Sequence, residues 1–415
     1  MTMKFPKRFL WGVSTSAHQV EGGNHNQWSV WEQENAKANA AQGRAQYGDL
    51  QKYEMIESQV RSPENYVSGT AADHYTLYEN DFDLAKKMQL NAFRFSVEWS
   101  RIEPQEGAWN AEAIEHYKQY VKALKKRDIE PMMTLFHFTM PVWFAEKGGF
   151  TKRKNVRYFV RFAQKIVEEI GVDIKFIITI NEPEVYATQS YVEGNWPPEV
   201  QNKRVAFKVL NNLIYAHNKT ARIIHSMNRR YKVSIAKNTS YVYPGDDAVL
   251  SRVSAAVLQY LKDDYVLKRV RKTSDFIGVN YYFSDRVYGY RVHNEDRNVS
   301  DMDWDMHPEN IEYALERISN KYKMPIIITE NGVADMDDEK RKWWLAQTMA
   351  ALHRALEHGV KLQGYFHWSM LDNFEWAHGH WPKFGLVKVD PTSLRRTPKQ
   401  SAIWWAKFLA KAKKG

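Results

Sequence analysis

The chain has 415 residues, 44% hydrophobic and 14% aromatic, with 59 Lys and Arg against 49 Asp and Glu for a formal net charge of +10, and no cysteine. The missing thiols exclude disulfides, thiol catalysis and thiolate-held metals, and no apolar run approaches the ~20 residues that cross a bilayer. The positive excess does not by itself define a polyanion partner: it is spread over amphipathic segments, as at Lys122, Lys125, Lys126 and Arg127, or gathered at the C-terminal Lys407 to Lys414, and no nucleic-acid motif accompanies it. Met1 to Arg8 carries charge with no apolar stretch or cleavage site behind it. A cytoplasmic protein is therefore expected, acting on a small molecule, without nucleic-acid or membrane partners, as a monomer or homo-oligomer.

In chain order, short β-branched or aromatic runs predict strands at Phe9 to Ser14, Ala92 to Val97, Pro131 to Phe136, Phe176 to Ile180, Val233 to Ala236, Phe276 to Val279, Ile326 to Thr329 and Gly364 to Trp368. Helical spacing fills the intervals. Phe207, Leu210, Ile214, His217, Ala221 and Ile224 recur by threes and fours, and Leu345, Met349, Leu352 and Leu356 are closed by Gly359 at a C-cap position. Eight strand-then-helix units without a break in composition predict a single (β/α)₈ barrel over residues 1–415, with its working face at the C-terminal ends of the strands. The stretch from about Gln33 to Ala72, polar and carrying Gly43, Gly48, Pro63 and Gly69, reads as one long irregular loop on that face.

Two of the strands end on a carboxylate. Phe176-Ile177-Ile178-Thr179-Ile180 delivers Asn181 and Glu182 before Pro183, and Ile326-Ile327-Ile328-Thr329 delivers Glu330 before Asn331 and Gly332. A pair of carboxyl groups at strand ends of one parallel sheet is the minimum equipment for splitting a glycosidic bond, one protonating the leaving oxygen and one attacking or activating water. Other strand ends carry Gln19, Glu21, Arg94, His137, Asn280, Tyr282, Trp368, Glu375 and Trp376, groups suited to paired hydroxyls and to the flat faces of sugar rings. Arg94, on a buried strand, needs a carboxylate partner. Taken singly, His137 reads as a core histidine, and Trp11, Trp99 and Trp143 as barrel packing. His378-Gly379-His380 is the nearest approach to a metal motif, but two histidines two apart in a glycine loop are a weak one, so neither metal nor cofactor is expected.

The ordered set resembles the family 1 glycoside hydrolases, retaining β-glucosidases and β-galactosidases. Matching pieces are Thr15-Ser16-Ala17-His18-Gln19-Val20-Glu21-Gly22, Phe93-Arg94-Phe95-Ser96, Thr179-Ile180-Asn181-Glu182-Pro183, Asn280-Tyr281-Tyr282, Thr329-Glu330-Asn331-Gly332, and Gly364 to Ser369 with Asp372-Asn373-Phe374-Glu375-Trp376. The resemblance implies Glu182 as general acid/base and Glu330 as nucleophile, with Arg94 and Tyr282 hydrogen-bonded to the nucleophile and keeping it ionised. It implies Gln19, His137, Asn181, Glu375 and Trp376 on the sugar hydroxyls and Trp368 as the stacking floor. Phe136, Phe138 and Thr139-Met140 depart from the family pattern, and the segment between Glu330 and Arg341 is short. Relatives acting on 6-phosphoglycosides place a serine, a lysine and a tyrosine where this chain has Glu375, Pro382 and Phe384. A retaining β-glycosidase for unphosphorylated β-D-glucosides, and for β-galactosides or β-fucosides, is therefore expected, with Lys383 a solvated surface residue. The alternatives are a 6-phospho-β-glycosidase, a non-catalytic sugar-binding barrel and a metal-dependent hydrolase.

Overall fold

The computed structural model describes residues 3–294 and 298–413. Met1, Thr2 and Lys414, part of the terminal charge patterns, lie outside them. Eight parallel strands close into a ring: Leu10–Ser14, Ala92–Ser96, Glu130–Thr134, Phe176–Asn181, Lys232–Pro244, Ile277–Tyr288, Ile326–Asn331 and Leu362–Trp368. Each pairs with the next in sequence, and the eighth returns to the first through Leu10 to Ser14 against Gly364 to Trp368. Helices cover the outside, so the second, fourth and seventh strands are buried at every residue. This is the (β/α)₈ barrel expected from the continuous apolar runs.

Within the barrel, Ala92, Met132, Phe176, Ile178, Ala236, Phe276, Ile327 and Phe366 form a separate apolar cluster. Small residues make room for its rings: a Cβ on Gly12 would lie 2.3 Å from the Phe366 ring. The helical shell packs outside the strands. Lys203–Met227 is capped by Asn202, whose side chain accepts the backbone N–H groups of Arg204 and Val205. Its buried face runs through Ala206, Val209, Leu213, Ala216, His217, Ala221 and Ile224, leaving Phe207 56% exposed. The apolar stripe therefore starts one residue before the expected position, and Phe207 packs instead on Tyr265. Arg341–Glu357 ends as expected, with Gly359 at φ +84°.

Two expectations need correction. The fifth and sixth strands run for 13 and 12 residues, pairing on past the barrel from Ala236 and Gly278 to Pro244 and Val287. The polar run Lys237-Asn238-Thr239-Ser240 hid this continuation, although Tyr241, Val242 and Tyr243 beyond it are strand formers. The stretch Gln33 to Ala72 is mostly helical, as Gln27–Tyr47 and Tyr53–Val60. Asn26 and Ser29 form a reciprocal capping box at its start. The first of these helices is rich in alanine, a good helix former that leaves little apolar periodicity to read. Gly43 is there for contact: a Cβ would lie 2.1 Å from the carbonyl oxygen of Val60. Among the described residues no helix is long and apolar enough to cross a membrane.

Gly43→Ala should force these helices apart and destabilise the chain by about 1–3 kcal/mol, the usual cost of overpacking. Urea unfolding measures it, and an unchanged midpoint would mean that the contact is not tight.

Candidate active site

The fourth strand stops at Asn181, and the next residue turns out of the sheet. Glu182 adopts φ +39°, ψ +64°, a left-handed conformation that costs a non-glycine residue on the order of 1 kcal/mol, and Pro183 starts the helix Pro183–Thr188. The Glu182 N–H donates to the carbonyl of Ala236 on the fifth strand at 2.8 Å. Phe138 (φ +71°) and Trp376 (φ +50°) are held in the same region of backbone space, and all three line one cleft. At the seventh strand, Gly332 presses against the end of the eighth, where a Cβ would lie 1.9 Å from the carbonyl oxygen of Trp368. Asn331 donates to the Tyr281 carbonyl at 2.7 Å and accepts from Trp344 Nε1 and the Tyr365 hydroxyl, both at 3.0 Å. Glu330 is therefore carried on a residue pair with no freedom to turn.

Arg94, 1% exposed, joins four strands. Its Nε donates to Thr134 Oγ1 at 3.0 Å, Nη2 to Asn181 Oδ1 at 2.7 Å, and Nη1 to the Thr329 carbonyl at 3.2 Å and to Glu330 Oε1. The Tyr282 hydroxyl donates to the other oxygen, Glu330 Oε2, at 2.7 Å. Among the described residues Glu182 pairs with no cation. Its Oε1 accepts from Asn280 Nδ2 at 2.8 Å, and Asn280 lies opposite Glu330 in strand register while its Oδ1 accepts from Thr329 Oγ1 at 2.6 Å. Asn280 thus spans the two glutamates, where the sequence marked it only as a strand-end group suited to sugar hydroxyls.

Burial raises both carboxyl groups, and the two titrate as a pair. Glu182 is pushed well above the ordinary range by burial first, then by the charges of Glu330 and Glu184. Glu330 is raised by burial too, against the opposing Arg94 and Tyr282. The expectation that its supports alone would decide its protonation omitted this desolvation. The order still follows: Glu330 ionises first and Glu182 holds the proton. Tyr282, raised by burial and by Glu330, stays a neutral donor.

The cleft, about 370 Å³, contains Glu182, Glu330, Asn181, His137, Tyr282, Trp368, Glu375 and Trp376 together. His137 accepts the Asn181 amide at Nε2 (3.2 Å), so Nδ1 carries the proton; it finds no partner among the described residues. The ring is nearly parallel to those of Trp368 and Trp376 and is held neutral by burial and Arg94. Glu375 accepts from Asn373 at 3.0 Å and Gln19 at 3.2 Å. Burial lifts its carboxyl to about 7 against those hydrogen bonds. Gln19 is fully buried and also donates to the Phe374 carbonyl at 2.7 Å, which places it behind Glu375. Glu21 lies elsewhere, paired with Arg101 and Tyr117.

The outer cleft holds residues that the motifs did not reach: Trp196, Asn238, Phe283, Met302 and Trp304. Trp196 packs over Phe138 at 4.9 Å, at one of the family departures. Asn238 is set by Glu184, whose Oε1 accepts both the Asn238 N–H (2.9 Å) and the buried Lys237 ammonium (2.7 Å). Lys383 is not a solvated surface residue: it is half-buried, with its ammonium on the His380 carbonyl at 2.5 Å, because the loop folds it inward between buried Pro382 and Phe384. His378 and His380 are bonded to the Tyr47 hydroxyl and the Val67 carbonyl, and burial lowers both to about 4. The described side chains that could together hold a metal, Glu312, Glu316 and His358, are outside this cleft, and Arg354 already pairs with Glu312.

The family model "Glycosyl hydrolase family 1" matches residues 1–262 and 258–414. The chain is 29% identical to "Beta-glucosidase A" of Acetivibrio thermocellus over 98% of both chains. It is 27% identical to the "6-phospho-beta-galactosidase" of Clostridium acetobutylicum over 97% of this chain and 96% of that one. A solved "beta-glycosidase from Pyrococcus horikoshii" superposes with a TM-score of 0.87 at 34% identity, over 100% of this chain and 96% of the other.

Because the Glu375 carboxyl is raised, the folded state binds its proton more tightly than the unfolded chain. The stability this confers is complete below pH ~4.5 and is lost as pH rises through about 7, a swing of at most about 3 kcal/mol. Glu375→Gln should remove that slope, so that the variant gains on the parent in thermal midpoint between pH 5 and 8. Parallel curves would show that Glu375 is not the buried acid.

Proposed function

The chain belongs to glycosyl hydrolase family 1, and from that premise we propose that it hydrolyses unphosphorylated β-D-glucosides, with β-galactosides and β-fucosides as secondary substrates, using Glu182 and Glu330. The observation that carries this reading is the unequal support of the two carboxyls: Arg94 and Tyr282 both serve Glu330, and only an amide serves Glu182. Glu330 attacks the anomeric carbon while Glu182 gives its proton to the departing glycosidic oxygen, leaving a covalent glycosyl-enzyme. With Glu330 neutralised as an ester, one of the charges that kept Glu182 protonated is gone. Glu182 then takes a proton from the incoming water as it attacks the same carbon, and Glu330 leaves as a carboxylate, so the β configuration is retained. His137, Asn181, Glu375 and Trp376 take the sugar hydroxyls over the Trp368 ring, with Gln19 holding Glu375 in place. The chain works as one unit over 1–415, since the ring closes only with strands from Leu10 to Trp368.

Glu330→Ala should lower turnover by several orders of magnitude, and a 2-fluoroglycosyl inactivator should label Glu330 one-to-one in the parent protein. Glu182→Ala should still be glycosylated by an aryl glycoside with a good leaving group, then stall until azide releases a β-glycosyl azide. An α-azide, or label on another residue, would reverse or remove the assignments.

Glu375 also bears on the 6-position. A second negative charge ~4 Å from its carboxylate costs about 4 kcal/mol at an effective dielectric of ~20, about a thousandfold in rate. Pro382 and Phe384 offer a phosphate neither a cation nor a hydroxyl. The ratio of kcat/KM for p-nitrophenyl β-glucoside over its 6-phosphate should be large and should rise from pH 6 to 8 as Glu375 ionises. Comparable values for the two substrates would sink this reading of the loop.

A further inference from the structure

The helix Val249–Gln259, continued by the turn Tyr260–Asp264, is amphipathic the wrong way round. Its inward face is Ser251, Ala255, Gln259 and Asp263, all buried. Its outward face repeats every four residues as Val249, Val253, Val257 and Leu261, exposed by 75%, 54%, 53% and 57%. The polar inner face has a structural cause. Ser251 Oγ accepts the Gly289 N–H at 2.8 Å, and Gln259 accepts the Val242 N–H at 3.0 Å and donates to the Ser240 carbonyl at 3.1 Å. These contacts satisfy backbone groups of the extended fifth strand and of the turn after the sixth. Nothing inside the fold accounts for the valines, because a water-facing helix carries polar residues there.

The surroundings point to what covers them. Leu250 (55% exposed) and Tyr290 (75% exposed) widen the apolar stripe at the hairpin beyond the sixth strand. Cations sit on its tyrosines: the Lys268 ammonium lies 4.9 Å from the ring of Tyr260, and the Arg291 guanidinium 5.4 Å from that of Tyr290. Arg269, Arg271 and Lys272 continue the exposed positive run beyond Lys268. The exposed acids on this segment are Asp246 and Asp247 at the helix start, and Asp247 is paired with Arg252. Aliphatic residues ringed by tyrosines and cations make the pattern of a segment lying in a bilayer interface, whereas two copies of a +10 chain would bring like charges together at this rim.

We propose that the helix Val249–Gln259 and the adjoining turn dock the protein peripherally on an anionic lipid surface. Both supporting strands extend from the C-terminal end of the barrel, so docking sets the cleft's rim beside the lipid. The composition did not suggest this contact, since the stripe is too short to span and its charges are separated along the chain.

The test is co-sedimentation of the full chain with phosphatidylglycerol vesicles and with phosphatidylcholine vesicles at low salt, alongside Val253→Glu/Val257→Glu. These positions are outside the cleft, so activity on p-nitrophenyl β-glucoside and the circular dichroism spectrum should be unchanged and report the fold. The parent should bind phosphatidylglycerol vesicles, release in salt, and lose about a hundredfold in partition in the variant. Failure of the parent to sediment, equal binding to phosphatidylcholine, or undiminished binding by the variant would each overturn the proposal. So would a parent that binds no vesicle but halves in mass on this substitution, which would give the face to a second copy. Vesicle binding is read without turnover, so it stands or falls apart from the glycosidase assignment.

Discussion

A guanidinium buried in a barrel mouth has to be answered on every side, and the answers to Arg94 fix the geometry of the site. Its partners come from the third, fourth and seventh strands, so the same charge that steadies Glu330 also sets Asn181 and the Thr329 carbonyl. Removing such a charge from water costs several kcal/mol unless each donor is satisfied. Two of the residues that meet the cost, Asn181 and Glu330, also line the cleft. Asn181, oriented by Arg94, in turn donates to His137, and this fixes which ring nitrogen of His137 carries the proton.

From this comes the inequality between two carboxyls buried in one cleft. Burial alone would raise both alike and give no division of labour. Arg94 and Tyr282 make ionisation cheaper for Glu330, and the charge so formed makes it dearer for Glu182. Asn280 is neutral and touches the acid without supplying a counter-charge, so Glu182 is oriented without being strongly acidified. The left-handed backbone at Glu182 serves the same end, turning its side chain off the strand.

The sequence exposes the inner part of this site because the physics there is local. A buried parallel strand must be apolar throughout, so the polar residue that ends it stands out, as Glu182 and Glu330 do. The outer cleft has no such contrast. Lys237 to Ser240 look like a loop because the fifth strand, leaving the barrel, has one edge and face to satisfy with polar groups. Trp196 and Trp304 arrive from turns whose course depends on packing, not on periodicity. Lys383 misleads for the same reason: a lysine between Pro382 and Phe384 looks solvated until the fold shows the His380 carbonyl beside it. The alanine-rich helix Gln27–Tyr47 has the opposite problem, a strong propensity and a weak apolar pattern.

The supports of the two carboxyls share the sixth strand, through Tyr282 and Asn280, and differ beyond it. Glu330 also rests on the second, third and fourth strands through Arg94, whereas Glu182 also rests on the fifth. Its own N–H holds Ala236, and two residues on, Glu184 holds Lys237 and Asn238. Lys237 is wholly buried and lies 3.7 Å from Asp263, which pairs with Arg317 and accepts from Gln259 at 2.8 Å. Asp263 belongs to the turn that ends the outward-valine helix. A rod with its apolar face toward the outside and its acidic end on Lys237 is therefore joined by ion pairs to the proton-carrying side of the cleft, and not to the side that holds Glu330. That chain of contacts ends at the outer-cleft Asn238 and at Glu184, two residues along the chain from Glu182.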